Sequence, residues 1–160
     1  MKIGLIADTH DNMPKIEAAI KLFESHGVEL VIHAGDFVAP FSVKPFSRLS
    51  CRLVAVFGNN DGERIGLLKA MEGFGELHAR MATLEVEGKR IAVMHEPEPL
   101  EAMKRSRMFD VIVYGHTHKV SVERNQCLVV NPGEACGWLT GRSTAALLDL
   151  ERLDVSVHEL

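Results

Sequence analysis

Two histidines separated by one residue follow a short apolar run in the second half of the chain. The run at 111–114 leads directly into Gly115-His116-Thr117-His118. In extended backbone, residues i and i+2 point to the same side, so both imidazole rings can face one site. Imidazole is the commonest metal-binding side chain. The segment therefore indicates a metal site more strongly than a lone histidine would.

Four other polar segments also follow apolar runs, each at the point where a strand is expected to end. They are Asp8-x-His10, Gly35-Asp36, Gly58-Asn59-Asn60-Asp61-Gly62 and His95. Taken singly, each has an ordinary explanation, because Asp, Asn and Gly are turn residues. Open α/β sheets, however, place their ligands at the carboxyl ends of strands. Nitrogen and oxygen donors that recur at successive strand ends favour one shared site.

Together these segments supply seven candidate metal ligands. They are Asp8, His10, Asp36, Asn59, His95, His116 and His118. Such a number exceeds the need of one ordinary ion and suits two ions bridged by a shared carboxylate. Oxygen donors with imidazole and no thiolate are compatible with Mn, Fe, Ni or Zn. Two ions about 3.5–4 Å apart are the common device for displacement at phosphorus, since they polarise phosphoryl oxygens and activate water.

The ordered series of motifs resembles the calcineurin-like metallophosphoesterase superfamily, and its length and spacing are similar to the small prokaryotic phosphodiesterase branch. The resemblance runs from residue 1 to about residue 141 and includes Asn131-Pro132-Gly133. It implies a four-layer αββα sandwich of the α/β class. It also implies two divalent ions, with Mn²⁺ favoured over Ni²⁺, Zn²⁺ or Fe.

The resemblance further implies a role for each ligand. The first ion would be held by Asp8, His10, Asp36 and His118. The second would be held by Asp36, Asn59, His95 and His116, with Asp36 as the bridge. The implied catalytic residues are Asp8, His10, Asp36, Asn59, Asp61 and His116.

Asn60 departs from the pattern of many family members, which carry at this position a histidine thought to protonate the leaving group. A carboxamide cannot act as a general acid near neutral pH. Members of the small branch often lack this histidine too, so the substitution leaves the resemblance intact and disfavours monoesters with poor leaving groups. For Asp61, an orienting role behind the ligands and a cap on the following helix are both open.

Three acidic residues also stand where relatives often have other residues. Glu96 and Glu98 follow His95, and they would repel highly anionic substrates unless they point to solvent. Glu134 replaces a serine, and the segment that contains it is predicted to serve either oligomer contacts or the rim of the pocket. The other histidines are predicted to be structural or exposed, with a supporting role open for His33; they are His26, His33, His78 and His158.

The elements that position the motifs follow from hydrophobic periodicity. In the first half, strands are predicted at 2–7, 30–32 and 53–57, and helices at 63–71 and from Asn12 to Gly27. In the second half, the predictions are a hairpin with its turn at Gly88-Lys89, a helix at 100–107, and strands at 111–114, 120–124, 128–130, 145–150 and 153–158. This pattern predicts two packed sheets flanked by helices.

Composition excludes several other classes of protein. The chain has 160 residues, of which 46% are apolar and 25% charged, and this is typical of one globular domain spanning 1–160. A net charge of −4 argues against strong nucleic-acid binding. No apolar run approaches the ~20 residues of a membrane span, and the start is too short for a signal peptide, so a cytoplasmic location is expected.

Two functional hypotheses follow. The first is a dinuclear metal-dependent phosphodiesterase that hydrolyses small phosphate diesters through a metal-activated water, with a homodimer implied by resemblance. The alternative is a non-catalytic scaffold of the same fold, which resembles the small retromer subunit that has lost part of its metal site. Because all seven expected ligands are present, the sequence favours the enzyme.

Overall fold

Two mixed β-sheets form the centre of the molecule, in a computed structural model that describes residues 1–160. The strands are β1 (Lys2–Ile6), β2 (Leu30–His33), β3 (Arg52–Val56), β4 (Gly75–His78), β5 (Met81–Val86), β6 (Lys89–Met94), β7 (Val111–Val113), β8 (Val120–Arg124), β9 (Leu128–Pro132), β10 (Thr144–Asp149) and β11 (Asp154–Glu159). The α-helices are α1 (Met13–Ser25), α2 (Arg64–Met71) and α3 (Leu100–Ser106), and two 3-10 helices cover Pro40–Ser42 and Lys44–Arg48. None of these helices has the length and apolar character needed to cross a membrane.

The register of the first sheet brings three strand ends level with one another. Its strand order is β11-β10-β1-β2-β3-β4, with β1 to β4 parallel. Ile6 at the end of β1 pairs with His33, which in turn pairs with Ala55 of β3. The loops that follow these strands therefore leave the sheet at the same edge.

The second sheet repeats this arrangement with different strands. Its order is β5-β6-β7-β9-β8, in which β6, β7 and β9 are parallel and the two edge strands are antiparallel to their neighbours. Val93 of β6 pairs with Val113 of β7, and Val113 pairs with Val130 of β9. The segments that begin at His95 and at Gly115 therefore also emerge side by side.

Alternation along the strands divides the core into layers. In β3, Val54 and Val56 face the second sheet, whereas Leu53 and Ala55 face the helices, as expected for a strand buried on both sides. Helices α1 and α2 cover the outer face of the first sheet, and α3 covers that of the second through Leu100. These contacts give the predicted four-layer αββα order.

Local signals in the sequence account for most of these elements, with two exceptions. The Asn12 side chain caps α1 by accepting a hydrogen bond from the Lys15 N–H, as predicted. The predicted turn at Gly88-Lys89 is wrong by one residue, because Glu87 and Gly88 have φ values of 49° and 74° and form the turn between the paired Val86 and Lys89. Strand β4 was not predicted, since it is short, begins with glycine and is only half-buried.

Candidate metal centre

Backbone hydrogen bonds join the loops that follow β1 and β2. The Asp8 N–H donates to the Gly35 carbonyl at 3.0 Å. The Thr9 and His10 N–H groups both donate to the Asp36 carbonyl, at 3.0 and 3.1 Å. These bonds continue the pairing of β1 with β2 beyond the strand ends, and they bring three predicted ligands to one place.

Five of the seven predicted ligands have a left-handed backbone. Their φ values lie between 36° and 67°, and the residues are Asp8, His10, Asp36, His116 and His118. Residues other than glycine rarely adopt this conformation, and those that do cluster at functional sites. The loops are thus held in a geometry that local backbone preference alone would not produce.

Two glycines of the motifs allow the loops to approach closely. A Cβ atom on Gly58 would lie 2.1 Å from Asp36 Oδ1 and 2.5 Å from Asp36 N. A Cβ atom on Gly35 would lie 2.7 Å from His95 Nδ1. The glycines of the Gly-Asp and Gly-Asn motifs therefore make room for a carboxylate and an imidazole, beyond any role as turn residues.

The first cluster consists of Asp8, His10, Asp36 and His118. His10 Nε2 lies 3.3 Å from Asp36 Oδ2 and 3.9 Å from Asp8 Oδ1. His118 Nε2 lies 3.5 Å from the same Asp8 oxygen, and the two histidine rings stack with centroids 5.3 Å apart. Asp8 Oδ1 and His10 Nε2 are buried without a hydrogen-bond partner. Buried polar atoms are seldom left unsatisfied, and a cation between these atoms would satisfy both.

Burial acts on the ionisation of two members of this cluster. It raises the pKa of Asp8 to about 7 and lowers the pKa of His10 below its ordinary value. A neutral imidazole presents the lone pair that a metal requires. A divalent ion would in turn favour the charged form of Asp8, so the first cluster fits a metal ion.

The second cluster consists of Asp36, Asn59, His95 and His116. His95 Nε2 lies 2.8 Å from Asn59 Oδ1 and 3.4 Å from Asp36 Oδ2, and His116 Nδ1 lies 2.9 Å from the same Asn59 oxygen. His95 Nδ1 is 2.8 Å from the Ala34 carbonyl, which can only accept, so Nδ1 carries a proton. Nε2 faces two oxygen acceptors, so although burial opposes protonation, the hydrogen bond to Asp36 outweighs it and raises the pKa of His95. A cation bound between these atoms would take the place of the Nε2 proton. This donor set also fits a divalent cation.

Asp36 belongs to both clusters. Burial opposes its ionisation, but hydrogen bonds from His95 and Asn60 outweigh that effect and hold the pKa of Asp36 well below its ordinary value. Asn60 donates its backbone N–H to Oδ1 at 2.8 Å and its side-chain amide to Oδ2 at 2.7 Å. The centre of the site is thus a carboxylate that stays charged and has a fixed orientation.

Asp61 joins the loops that follow β2 and β3. Its carboxylate accepts the N–H groups of Asp36, Val38 and Gly58, at 3.1, 2.8 and 2.7 Å. The N-cap residue of α2 is Glu63, and no side chain donates or accepts a capping hydrogen bond there. The helix-cap alternative for Asp61 is therefore wrong, and the residue holds the backbone around Asp36.

His33 supports the same loop from behind. Its Nδ1 accepts the Gly35 N–H at 3.1 Å, so its Nε2 carries the proton and donates to Thr9 Oγ1 at 3.1 Å. Thr9 Oγ1 in turn donates to the Asp36 carbonyl at 3.3 Å. Burial lowers the pKa of His33 to about 3, and the ring stacks on Phe37 with centroids 3.6 Å apart. His33 is thus a neutral supporting residue.

Asn131 fixes the loop that carries the two histidines after β7. Its side-chain amide donates to the Gly115 carbonyl at 2.9 Å and to Thr117 Oγ1 at 3.0 Å. Its Oδ1 accepts the Gly133 N–H at 2.9 Å. The sequence placed Asn131 in a family motif but gave no role for it, because these contacts depend on the pairing of β7 with β9.

Glu134 is buried behind His118. Its Oε2 lies 2.7 Å from His118 Nδ1 and accepts a hydrogen bond from Cys136, and its Oε1 accepts hydrogen bonds from Leu139 and Thr140. Burial opposes ionisation, but the bonds from Thr140 and His118 outweigh it and lower the pKa of Glu134 to about 2. The side chain is fully enclosed and so lies neither at a pocket rim nor on a free surface.

A cleft of about 710 Å³ borders the second cluster. Asn59 and His95 line it together with Phe57, Arg64, Arg80, Met81, Met94, Glu96 and Glu98. The Arg64 guanidinium lies 5.1 Å from the centre of the Phe57 ring, and its Nε donates to the Asp61 carbonyl at 3.3 Å. Sequence reasoning missed Arg64, whose only signal was its position shortly after the third motif.

The structure brings all seven predicted ligands together, in the two sets that the resemblance implied. The ligand atoms of Asp8, Asp36 and His95 lie within 4.8 Å of one another, so the two clusters are contiguous. The role of each residue as a ligand stays a prediction.

The chain is similar in sequence to a known protein family and to characterised members of it. Residues 1–153 match the calcineurin-like phosphoesterase superfamily domain. The chain is 41% identical over 157 residues to phosphodiesterase MJ0936 of Methanocaldococcus jannaschii, covering 95% of each. It is 28% identical over 151 residues to phosphodiesterase YfcE of Escherichia coli, covering 83% of this chain and 78% of the relative.

Solved structures agree with this assignment. An archaeal phosphodiesterase is similar with a TM-score of 0.92 and 39% identity, covering 100% of both chains. Vps29 of Entamoeba histolytica, solved with zinc, is similar with a TM-score of 0.73 and 19% identity, covering 99% of this chain and 91% of that one, and this is a likeness of fold alone. A match over residues 1–153, with 41% identity to a relative of the same length, establishes that the chain belongs to the calcineurin-like phosphoesterase superfamily.

Proposed function

We propose that the chain is a phosphodiesterase that uses two divalent ions to hydrolyse small phosphate diesters. The observation that carries the proposal is the position of Asp36 Oδ2, which lies 3.3 Å from His10 Nε2 and 3.4 Å from His95 Nε2. A single carboxylate oxygen shared by two clusters suits a pair of bridged ions. Two relatives named as phosphodiesterases support the reaction class.

The two clusters divide the proposed ligands between the ions. The first set is Asp8, His10, Asp36 and His118, and the second is Asp36, Asn59, His95 and His116. Ions bound there would polarise the phosphoryl oxygens and supply an activated water as the nucleophile. Nitrogen and oxygen donors are compatible with Mn²⁺, Ni²⁺, Zn²⁺ or Fe. We propose Mn²⁺ first, as the family resemblance implies.

The protein residues around the reacting group position it and stabilise charge. Asn59 and His116 are the more exposed members of the second cluster, so they are placed to meet the phosphate and steady its developing charge. The Asn60 side-chain amide donates a hydrogen bond to Asp36 and carries no acidic proton. The leaving group therefore departs as an anion or takes its proton from solvent, and this favours esters of acidic alcohols.

The cleft beside the second cluster supports an organic diester as the substrate. Its volume of about 710 Å³ leaves room for an esterified organic group beside the phosphate. Arg64 forms no ion pair and is oriented by Phe57, so its guanidinium can bind an oxygen of that group. Glu96 and Glu98 border the same cleft and would disfavour substrates that carry additional phosphates.

The scaffold alternative has less support. The complete ligand set and the two orphaned atoms of the first cluster suit metal binding. The similarity to Vps29, at 19% identity, concerns the fold and carries no argument about partners.

Metal removal tests the proposal directly. Purified protein is expected to contain two divalent ions per chain by elemental analysis, and to hydrolyse bis(p-nitrophenyl) phosphate faster than p-nitrophenyl phosphate. Exhaustive chelation should abolish hydrolysis, and Mn²⁺ should restore it. Activity that survives chelation would exclude the mechanism, and metal binding without hydrolysis of any diester would support the scaffold instead.

Substitution of Arg64 tests the substrate part of the proposal. Arg64→Gln is expected to raise the KM for an aryl diester about tenfold, because a hydrogen bond from a charged donor is lost, with a smaller change in kcat. Arg105→Gln, at an exposed position of α3 outside the cleft, is the matched control. Equal KM values for the two variants would remove Arg64 from the substrate site.

A further inference from the structure

We propose that Glu134 is a positioning residue for the first cluster: it holds the His118 ring with Nε2 facing the metal site, and this contact sets the affinity for the first ion. The inference rests on the proposed function only in taking the first cluster as a metal site. No comparison or motif assigns a role to this carboxylate.

The geometry of His118 carries the first step. Its Nδ1 lies 2.7 Å from Glu134 Oε2, and its Nε2 lies 3.5 Å from Asp8 Oδ1. A carboxylate acceptor at Nδ1 keeps the proton on that nitrogen and leaves the lone pair on Nε2. It also makes the ring a stronger metal ligand than a neutral acceptor would.

His95 in the second cluster provides a contrast. Its Nδ1 donates to a neutral acceptor, the Ala34 carbonyl, at 2.8 Å. The ring of His116, the other histidine of that cluster, bonds to the neutral Asn59 side chain and forms no ion pair. Only the first cluster therefore has a charged group behind one of its histidines. Loss of the Glu134 carboxylate should therefore lower the affinity for the first ion and leave the affinity for the second nearly unchanged.

The loop after β9 is built around the carboxylate. Glu134 is fully enclosed and accepts bonds from Cys136 Sγ at 3.2 Å, from the Leu139 N–H at 3.1 Å and from Thr140 Oγ1 at 2.6 Å. Burying a charge is costly, and a neutral side chain could accept bonds from a surface loop at lower cost. A cation on the far side of His118 accounts for a charged residue at this position.

The same loop contacts the other histidine of the first cluster. Trp138 Nε1 donates to the His10 carbonyl at 3.3 Å. Trp138 is the only tryptophan in the chain, so its fluorescence reports on the first cluster without a probe. This gives a readout of first-ion binding that does not depend on activity.

The test compares Glu134→Gln with Thr140→Val. Both changes remove hydrogen bonds within the loop, but only Glu134→Gln alters the group behind His118. Zn²⁺ affinity is measured by competition with a chelator, with Trp138 fluorescence for the first ion and stoichiometry for the second. Urea unfolding of the metal-free proteins gives the structural cost of each change.

Glu134→Gln is expected to weaken first-ion binding about 10–100-fold and to leave second-ion binding nearly unchanged. Thr140→Val should lower the free energy of unfolding without this loss of affinity. An equal loss in Thr140→Val, or equal losses at both ions, would mean that Glu134 acts only through loop stability, and the proposal would be overturned.

A measurement on the unmodified protein covers the case in which Glu134→Gln does not fold. Nitrogen-15 NMR of the Zn²⁺-loaded protein should show His118 protonated at Nδ1 and coordinated through Nε2. A proton on Nε2 would overturn the proposal. Neither experiment measures hydrolysis, so a protein that binds zinc as expected but cleaves no diester would contradict the proposed function and leave this inference standing.

Discussion

Asp36 is the residue on which a two-ion site depends, because its Oδ2 lies between the histidines of both clusters. Asp36→Asn removes the shared charge and is expected to lower metal occupancy at both positions. His95→Ala should mainly empty the second, since His95 contacts Asn59 and lies outside the first cluster. Metal stoichiometry of the two variants is the measurement. Equal losses in both, or full occupancy in Asp36→Asn, would contradict the assignment of the bridge.

In the proposed mechanism, the lack of an acidic proton on Asn60 makes the rate depend steeply on the leaving group. A positioned general acid contributes about 10²–10⁴-fold, and Asn60→His introduces one. The gain should fall well below that range, because the Asn60 amide also holds Asp36 at 2.7 Å and the imidazole has to replace that bond. It should appear for alkyl esters and nearly vanish for aryl esters.

A leaving-group series measured on both proteins checks this expectation. Asn60→Ala is the control, since it removes the bond to Asp36 without adding an acid. If Asn60→His and the unmodified protein have the same slope against leaving-group pKa, Asn60 does not occupy the position of the general acid.

The structure brings the predicted ligand residues together because each follows a strand, and the strand ends of parallel sheets converge. The sequence did not predict the role of Glu134 or of Arg64. Glu134 reaches His118 only through the folding of the loop after β9, and Arg64 is oriented by a ring seven positions earlier in the chain. Neither contact leaves a periodic or motif signal.

At the scale of elements, the site depends on how closely the loops after β2 and β3 can approach. Gly58→Ala is expected to lower the free energy of unfolding by about 1–3 kcal/mol, because its Cβ would lie 2.1 Å from Asp36 Oδ1. Gly58→Ala should also lower the affinity for the second ion, because it displaces Asn59. Gly62→Ala is the matched control, since no atom lies within 4 Å of its Cβ position. Urea unfolding and metal affinity are measured for both; similar values would show that the loop yields without cost.

Elements with strong periodicity were predicted, and those that depend on their neighbours were not. The apolar face of α1 repeats at helical spacing, so Ile16, Ile20 and Phe23 are enough to predict the helix from the sequence. Strand β4 pairs only with β3 and is only half-buried, so it lacks the apolar run that marked the other strands. Strand β4 forms because the outer edge of β3 has backbone groups free to pair with it.

At the scale of the whole molecule, buried negative charge is confined to one end of the sandwich. The four buried carboxylates are Asp8, Asp36, Asp61 and Glu134. No lysine or arginine is buried with them. Buried charges are normally paired or bound to metals, and here the buried histidines and backbone N–H groups only partly compensate. Four buried carboxylates at one end of the molecule suit cations that are bound as part of the folded protein. Composition alone does not reveal this clustering, because it does not show which carboxylates are buried.

The free energy of unfolding of the whole molecule depends on pH, and His33 contributes to that dependence. Burial lowers the pKa of His33 to about 3, whereas the ordinary value in an unfolded chain is 6.5. Between these values the unfolded chain binds a proton that the folded protein does not, so this contribution to stability is lost as the pH falls from 6.5 towards 3. Each pKa unit corresponds to about 1.4 kcal/mol, so the loss amounts to several kcal/mol.

Asp8 acts in the opposite direction in the metal-free protein. Its pKa is raised from 3.8 to about 7, so the folded protein holds a proton that the unfolded chain has released, and this contribution declines as the pH rises through that window. The two effects oppose each other in the unmodified chain. A difference between variants is therefore needed to isolate His33.

His33→Gln keeps a donor for Thr9 and removes the titrating ring. We expect this variant to be less stable than the unmodified protein at pH 8, and the difference between them to shrink as the pH is lowered to 4, because only the unmodified protein loses the His33 contribution. Phe37→Leu, which removes the stacking partner without a titrating group, should show a difference that stays constant with pH. Urea unfolding of the metal-free proteins across this range measures both differences. A constant difference for His33→Gln would mean that His33 has an ordinary pKa in the folded protein, so that below this pKa the protonated ring could not accept the Gly35 N–H as the structure has it.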